Sequence, residues 1–207
     1  MSVLASVVRY TMVADQNERT IESGREPLRM AQELGLDALH ANVLNSVGSA
    51  RAALGDPRGL AELEESIEIA VGANSIDDVL RGHNNLVPMT LLLGDLETSQ
   101  AQAAETLRLA RHYGHNGFAR FVEGGGMGAN SYHSGRWAQT LEYAEPFLAD
   151  VERGSPHYQS ATCYCFRGLI RLGRGDSEGA EGDAVDEEAV DGAEQPGRAA
   201  RHVWKAD

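Results

Sequence analysis

Glycine recurs in this chain on a beat of about forty residues. It stands at 55, 94, 135 and 175, in Leu54-Gly55-Asp56, Leu93-Gly94-Asp95, Ser134-Gly135-Arg136 and Arg174-Gly175-Asp176, at steps of 39, 41 and 40. Asp15 lies forty residues before Gly55 and is in the same register. A fixed period of this length belongs to stacked supersecondary units, each of which buries its apolar face only against its neighbours. The beat therefore constrains architecture strongly and chemistry hardly at all.

Each of these glycines follows one helical pattern and precedes another. Asp37 to Leu54 carries Leu39, Val43, Leu44, Val47, Ala50 and Leu54 at the spacing of one apolar helix face. Gly55-Asp56-Pro57 ends it, because glycine tolerates the left-handed residue after a helix and Pro57 does not continue the ladder. Gly59 to Val71 then places Leu60, Leu63, Ile67 and Ala70 inward, with Glu62, Glu64, Glu65 and Glu68 outward. Ile76–Leu93 with Thr98–His112, and Phe118–Tyr132 with Trp137–Val151, repeat the hairpin. His157–Leu172 begins another, and Val3–Val13 with Glu18–Leu34 form a shortened first one. No alternating strand pattern interrupts them. The expected fold is all-α, a right-handed α-solenoid of about four helical hairpins.

Two stretches break the pattern. Gly124-Gly125-Gly126-Met127-Gly128 falls inside an expected helix, where each glycine costs roughly 0.8–1.0 kcal/mol relative to alanine. That helix is expected to be weak, kinked or frayed, and Pro27, Pro88 and Pro146 threaten smaller kinks elsewhere. After Gly175 no Leu, Ile, Phe or Met occurs, and Glu and Asp alternate with Gly, Ala and Val. Such a segment buries too little to offset its ordering entropy. The expected division is a repeat domain over 1–176 and an acidic tail over 177–207, disordered or loosely helical from about residue 178.

Composition excludes several functions. The net charge of −13 argues against nucleic acid as a partner, since that binding needs cations to displace counterions. Two cysteines, Cys163 and Cys165, make no disulfide framework and fit a cytoplasmic setting. No apolar run is long enough for a membrane span, and the first residues lack the pattern of a secretory signal.

Candidate chemistry is sparse. The glycine run lacks the preceding strand and the lysine of a phosphate loop. Cys163, Cys165 and His157 supply the one alternative reading, a metal-dependent enzyme or effector. A Cys-x-Cys pair on a helix sends its thiols about 200° apart, however, and no second pair completes a zinc site. Buried, inert cysteines are the expected outcome. Trp137 and Tyr143 sit at packing spacing, and His112, His115 and His133 form no spacing-defined site. The reading calls for no cofactor, no metal and no catalytic residue.

The hairpins resemble tetratricopeptide repeats, in which a Leu-Gly pair precedes the inter-helix Gly-Asp by seven residues. Val47-Gly48 before Gly55 fits this pattern, and Leu86-Val87 before Gly94 fits its first member. The segments LRMAQELGLDALHANVLNSVGSARAALGDPRGLAELEESIEIAVGANS, NNLVPMTLLLGDL and SGRWAQTLEYAEPFLADVERGSPHY resemble more narrowly the C-terminal repeats of large bacterial signalling proteins, many of them actinobacterial. Those proteins join an adenylate/guanylate cyclase or regulator domain to an AAA/STAND-type ATPase. The resemblance spans about residues 18–176 and implies a non-catalytic interaction or sensor module, a fragment without the cyclase or ATPase domains. In such repeats the first helix of each hairpin lines a concave groove. That placement assigns Asn42, Asn45, Arg81, Asn84 and Asn85 to a groove for a peptide or protein partner, or for the ATPase and cyclase domains of a full-length relative. A short first hairpin and an eroded last one further imply marginal stability or self-association.

Overall fold

The computed structural model describes residues 2–194 other than 156 and 158, with side chains from 3 to 187. Among these, every regular element is helical: α1 Ser2–Val13, α2 Asn17–Glu33, α3 Asp37–Ala53, α4 Arg58–Gly72, α5 Ile76–Leu92, α6 Leu96–His112, α7 Asn116–Val122, α8 Gly128–His133, α9 Trp137–Glu152, α10 Ser160–Gly173 and α11 Ser177–Glu194. A π-helical segment, Glu123–Met127, joins α7 to α8. The helices pair as α1/α2, α3/α4, α5/α6, α7–α8/α9 and α10/α11, and the hairpins gather into two compact units, Met1–Tyr113 and Gly114–Asp207.

The glycine beat has a direct backbone cause. Gly55, Gly94, Gly135 and Gly175 have φ of +78°, +80°, +73° and +84°, and Asp15 holds the same place at +56°. A second series lies midway between them: Gly35, Asn74, Gly114 and Gly154, at +62°, +53°, +75° and +95°. The first series turns the chain within hairpins, the second between them. The closure is a Schellman motif. At Gly55 its own N–H reaches the carbonyl of Ala52 at 3.0 Å, and the Asp56 N–H reaches that of Arg51 at 3.0 Å. The aspartate after the glycine then opens the next helix. Asp95 accepts from the Thr98 N–H at 3.0 Å, Asp176 from Gly179 at 3.0 Å and Asp56 from Arg58 at 3.1 Å. Arg136 stands in place of aspartate, and α9 starts without a side-chain cap.

In the first unit the core is built of small side chains. Val43 to Ala50 of α3 are all buried, because α3 is flanked by α1, α2, α4 and α5. Gly48 and Gly59 let α3 and α4 cross backbone to backbone: a Cβ on Gly59 would lie 2.3 Å from the Ala52 nitrogen and 2.6 Å from the Gly48 oxygen. Gly24 of α2 leaves room in the same way for Val47, whose Cγ2 would be 2.3 Å from an added Cβ. The prolines at 27, 88 and 146 remain inside α2, α5 and α9, which run on past them.

In the second unit the glycine run is neither frayed nor broken. From Gly35 to Gly55 and from Asn74 to Gly94 is 20 residues, whereas from Gly114 to Gly135 and from Gly154 to Gly175 is 21. In the first of these longer intervals the extra residue falls within a continuous helix and is taken up as the π segment, which is how a helix accommodates an insertion while keeping both halves on their faces. In the second, α10 begins only at Ser160 and is regular. Glycine there admits the neighbouring helices. A Cβ on Gly124 would meet the Phe147 ring at 2.9 Å and the Cys163 sulfur at 3.1 Å, and one on Gly125 would meet Gln159 Nε2 at 2.6 Å.

The acidic stretch after Gly175, expected to be disordered or loosely helical, takes the helical form over its described residues. As far as Glu194 it forms α11, packed on α10 and anchored over its first half by a polar contact that an apolar pattern does not reveal. Asp183 is 1% exposed and takes Arg167 Nη2 at 2.6 Å and Arg171 Nη1 at 2.9 Å, while Ala180 packs beside it. Residues 195–207, the rest of the expected disordered tail, lie outside the described residues.

Candidate functional site

The five groove candidates come from the first helices of two consecutive hairpins, α3 and α5. The structure joins four of them in two polar pairs, Asn42 with Arg81 and Asn45 with Asn85. Asn42 donates from Nδ2 to Asp78 at 2.7 Å, and its carbonyl accepts from Arg81 Nη1 at 3.0 Å. Arg81 reaches the Ser46 hydroxyl from Nη2 at 2.6 Å. Asn85 donates from Nδ2 to the side-chain Oδ1 of Asn45 at 2.7 Å, and Asn45 Nδ2 lies 3.4 Å from the Ser66 hydroxyl. Asn84 is half-buried on α5, outside this set of bonds.

The pairs Asn42–Arg81 and Asn45–Asn85 are 39 and 40 residues apart. Equivalent turns of successive hairpins therefore stack directly on one another, and the bonds between them fasten one hairpin to the next. Arg81 is 9% exposed and Asn45 2%, so both hold the stack together from within. Burial, then the like charge of Arg9, pulls the Arg81 guanidinium down to about 10, while Asp78 acts in the opposite direction. At neutral pH it keeps its charge.

Above this layer lies an open cleft of about 320 Å³, lined by Ala5, Ser6 and Arg9 of α1, Ala38, Leu39 and Asn42 of α3, and Asp78 of α5. It runs across the first helices of three hairpins and presents a cation, a carboxylate and an amide around an apolar floor. Of the five groove candidates Asn42 alone lines this cleft, and Arg9 and Asp78, which line it too, were not among them. Asp78 carried a readable signal: it stands three residues into α5 from Ser75, whose hydroxyl donates to it at 2.7 Å, the place where an acidic residue favours a helix start.

The second unit has a cleft of its own, about 310 Å³, lined by Arg120, Glu123, Glu142, Tyr143, Pro146, Phe147 and Asp150. Arg120 lies 4.5 Å above the Phe147 ring and donates to the Ser155 hydroxyl at 3.0 Å. This interhelical tie is one that spacing does not predict.

The cysteine–histidine alternative does not assemble. Cys163 is buried with its sulfur 3.5 Å from the Gly124 carbonyl, and burial pushes its thiol up to about 12. Burial likewise pushes Cys165 up to about 11. The His157 ring faces Phe121 at 6.3 Å and meets Phe147 edge-on at 5.4 Å. Among the described residues no three His, Cys, Asp or Glu side chains converge as metal ligands. His112 and His133 likewise pack against aromatic rings, those of Tyr113 and of Tyr132 and Phe166. No described helix is long and apolar enough to cross a membrane.

No family model matches the chain, and no curated protein does. Solved structures do. BtubC (BKLC) from P. vanneervenii superposes with a TM-score of 0.71 at 16% identity, covering 92% of this chain and 79% of that one. A putative kinesin light chain from Podosopora anserina, described by its nearly identical TPR-like repeats, matches at a TM-score of 0.65 and 11% identity over 96% of this chain and 97% of that one. A singly substituted form of the same repeats matches at 0.67 and 10%, over 93% and 94%. At these identities the likeness is one of fold. The chain has the fold of a TPR-like helical-repeat protein, an architecture that commonly mediates protein–protein interaction.

Proposed function

We propose that this chain is a non-catalytic docking module that takes a segment of a partner protein across α1, α3 and α5. The observation that carries the reading is the cleft over three successive first helices, where Arg9, Asn42 and Asp78 surround an apolar floor of Ala5, Ala38 and Leu39. Amide and charged side chains of this kind pair with the donors and acceptors of a peptide backbone, and the floor takes an apolar side chain. Asn45, Arg81 and Asn85 act beneath it, by fixing α5 against α3. In the setting that the sequence resembles, a cytoplasmic signalling ATPase, the partner is the ATPase or cyclase portion of a full-length relative.

Selection of displayed peptides against the purified chain tests the cleft. The enriched peptides are expected to lose about tenfold in affinity, roughly 1.4 kcal/mol, with Arg9→Glu, and nothing when Arg108→Ala is made on α6. Peptides that bind the Arg9→Glu variant as well as the parent would overturn the assignment. Asn45 and Arg81 are poor choices for this test, because replacing either disturbs the hairpin stack itself.

A further inference from the structure

The repeat register identifies a second surface, separate from the cleft. Val3, Leu4, Val7 and Tyr10 of α1 are 72%, 42%, 44% and 69% exposed. Forty residues on, at the same distances from the left-handed turn residue, stand Val43, Leu44, Val47 and Ala50 of α3, all 6% exposed or less. Val43 and Val47 are buried by the hairpin in front of them, against Ala5, Val8, Ile21 and Leu28. The outer stripe of α1 is thus an inter-hairpin face, with the composition of one that is covered.

We propose that this stripe is covered by the same stripe of a second copy of the chain, α1 against α1 about a twofold axis. The other end of the repeat does not fit it. At the register positions of Ala5, Val8 and Ile21 the last hairpin has Cys165, Gly168 and Glu181, and Glu181 is exposed. Head-to-tail stacking of copies would set that carboxylate against Val3 and Val7, with the desolvation cost of a buried unpaired charge. Pairing α1 with itself sets apolar against apolar. Arg9 is the sole charge on Ser2–Val13 and faces the cleft beside the stripe, so no like charges meet across the axis. Val7 lies midway between Val3 and Tyr10, near the axis. A face of one twelve-residue helix buries on the order of 1,000 Å² in total, at the low end for specific interfaces, which fits a reversible dimer rather than an obligate one.

Sedimentation analysis from low to several hundred micromolar chain decides the matter. The expected result is a monomer–dimer equilibrium that stops at two. Val7→Glu is expected to weaken it by at least about tenfold, with the helical circular dichroism intact, and Leu172→Glu in the last hairpin is expected to leave it alone. Oxidation of a Val7→Cys variant is expected to trap a covalent dimer, whereas Val71→Cys on α4 gives none. A monomer at every concentration, a dimer indifferent to Val7→Glu, or growth beyond two copies that Leu172→Glu prevents would each overturn the proposal. None of these readouts depends on a peptide occupying the cleft.

Discussion

Asp183 ties α11 to α10 through two arginines. It is almost wholly buried, and two guanidiniums close on it from α10, that of Arg167 12% exposed and that of Arg171 36%. Removing Asp183 leaves Arg167 largely desolvated and without its carboxylate, while Arg171 keeps the Gly179 carbonyl and Asp176. Asp183→Ala is therefore expected to destabilise this hairpin by about 3 kcal/mol, toward the low end for a buried pair because Arg171 still reaches solvent. Hydrogen exchange across 177–187 reads the loss directly, and unchanged protection would refute it. The glycines divide just as sharply. Gly124→Ala forces a Cβ onto Phe147 and Cys163, and should cost about 1–3 kcal/mol. Gly182→Ala meets nothing within 4 Å and should stabilise α11 by about 0.5–1 kcal/mol. At the turns, Asp15→Gly relieves a left-handed aspartate, whereas Gly55→Ala creates a left-handed alanine at an expected cost of about 1 kcal/mol. Thermal midpoints should move in opposite directions for these two changes.

Among the elements, the joined helix α7–π–α8 shows most clearly how the chain absorbs an irregularity. Its hairpin has the 41-residue step, and the surplus residue lies in the π segment. Deleting Gly126 is expected to turn the segment into regular α-helix while keeping Val122 and Asn130 on their present faces, with the thermal midpoint held or raised. Deleting Asn84 from α5, which has no surplus, rotates half of that helix by about 100° and should destabilise the protein severely. If the two deletions lower the midpoint equally, the π segment is not the site of an insertion. The same arithmetic was available from the sequence as a one-residue excess. What it did not show is that the glycines make room for Phe147, Cys163 and Gln159, since these arrive from α9, from α10 and from the turn before α10. The expectation of a weak or frayed helix rested on propensity alone, and packing overrides propensity here.

For the whole molecule, the buried thiols link stability to pH. A free thiol near 9.0 is pushed by burial up to about 12 at Cys163, and to about 11 at Cys165. Between pH 9 and these values the unfolded chain has released protons that the folded chain retains. The stabilisation is thus complete below pH 9 and is lost as pH rises, at up to about 1.4 kcal/mol per pH unit for each group. Denaturant midpoints at pH 8 and pH 10 should separate more in the parent than in a Cys163→Ala, Cys165→Ala variant. Equal separations would count against this account.

Local chemistry was legible in the order of residues: where helices stop, which turn must be left-handed, and that hairpins succeed one another every forty positions. These follow from backbone sterics and apolar periodicity, which act over a few residues. The polar contacts were not legible. Asn42 and Asn45 were identifiable as first-helix residues, but only folding shows that Arg81 and Asn85 bind them from one hairpin on, and that Arg9 and Asp78 stand at the open cleft instead. The order of α11 was hidden for the same reason, because Asp183 reads as one more acid until Arg167 and Arg171 are brought to it. Periodicity is written along the chain. Partnership between charges depends on which helices meet, and that is decided only when hairpin stacks on hairpin.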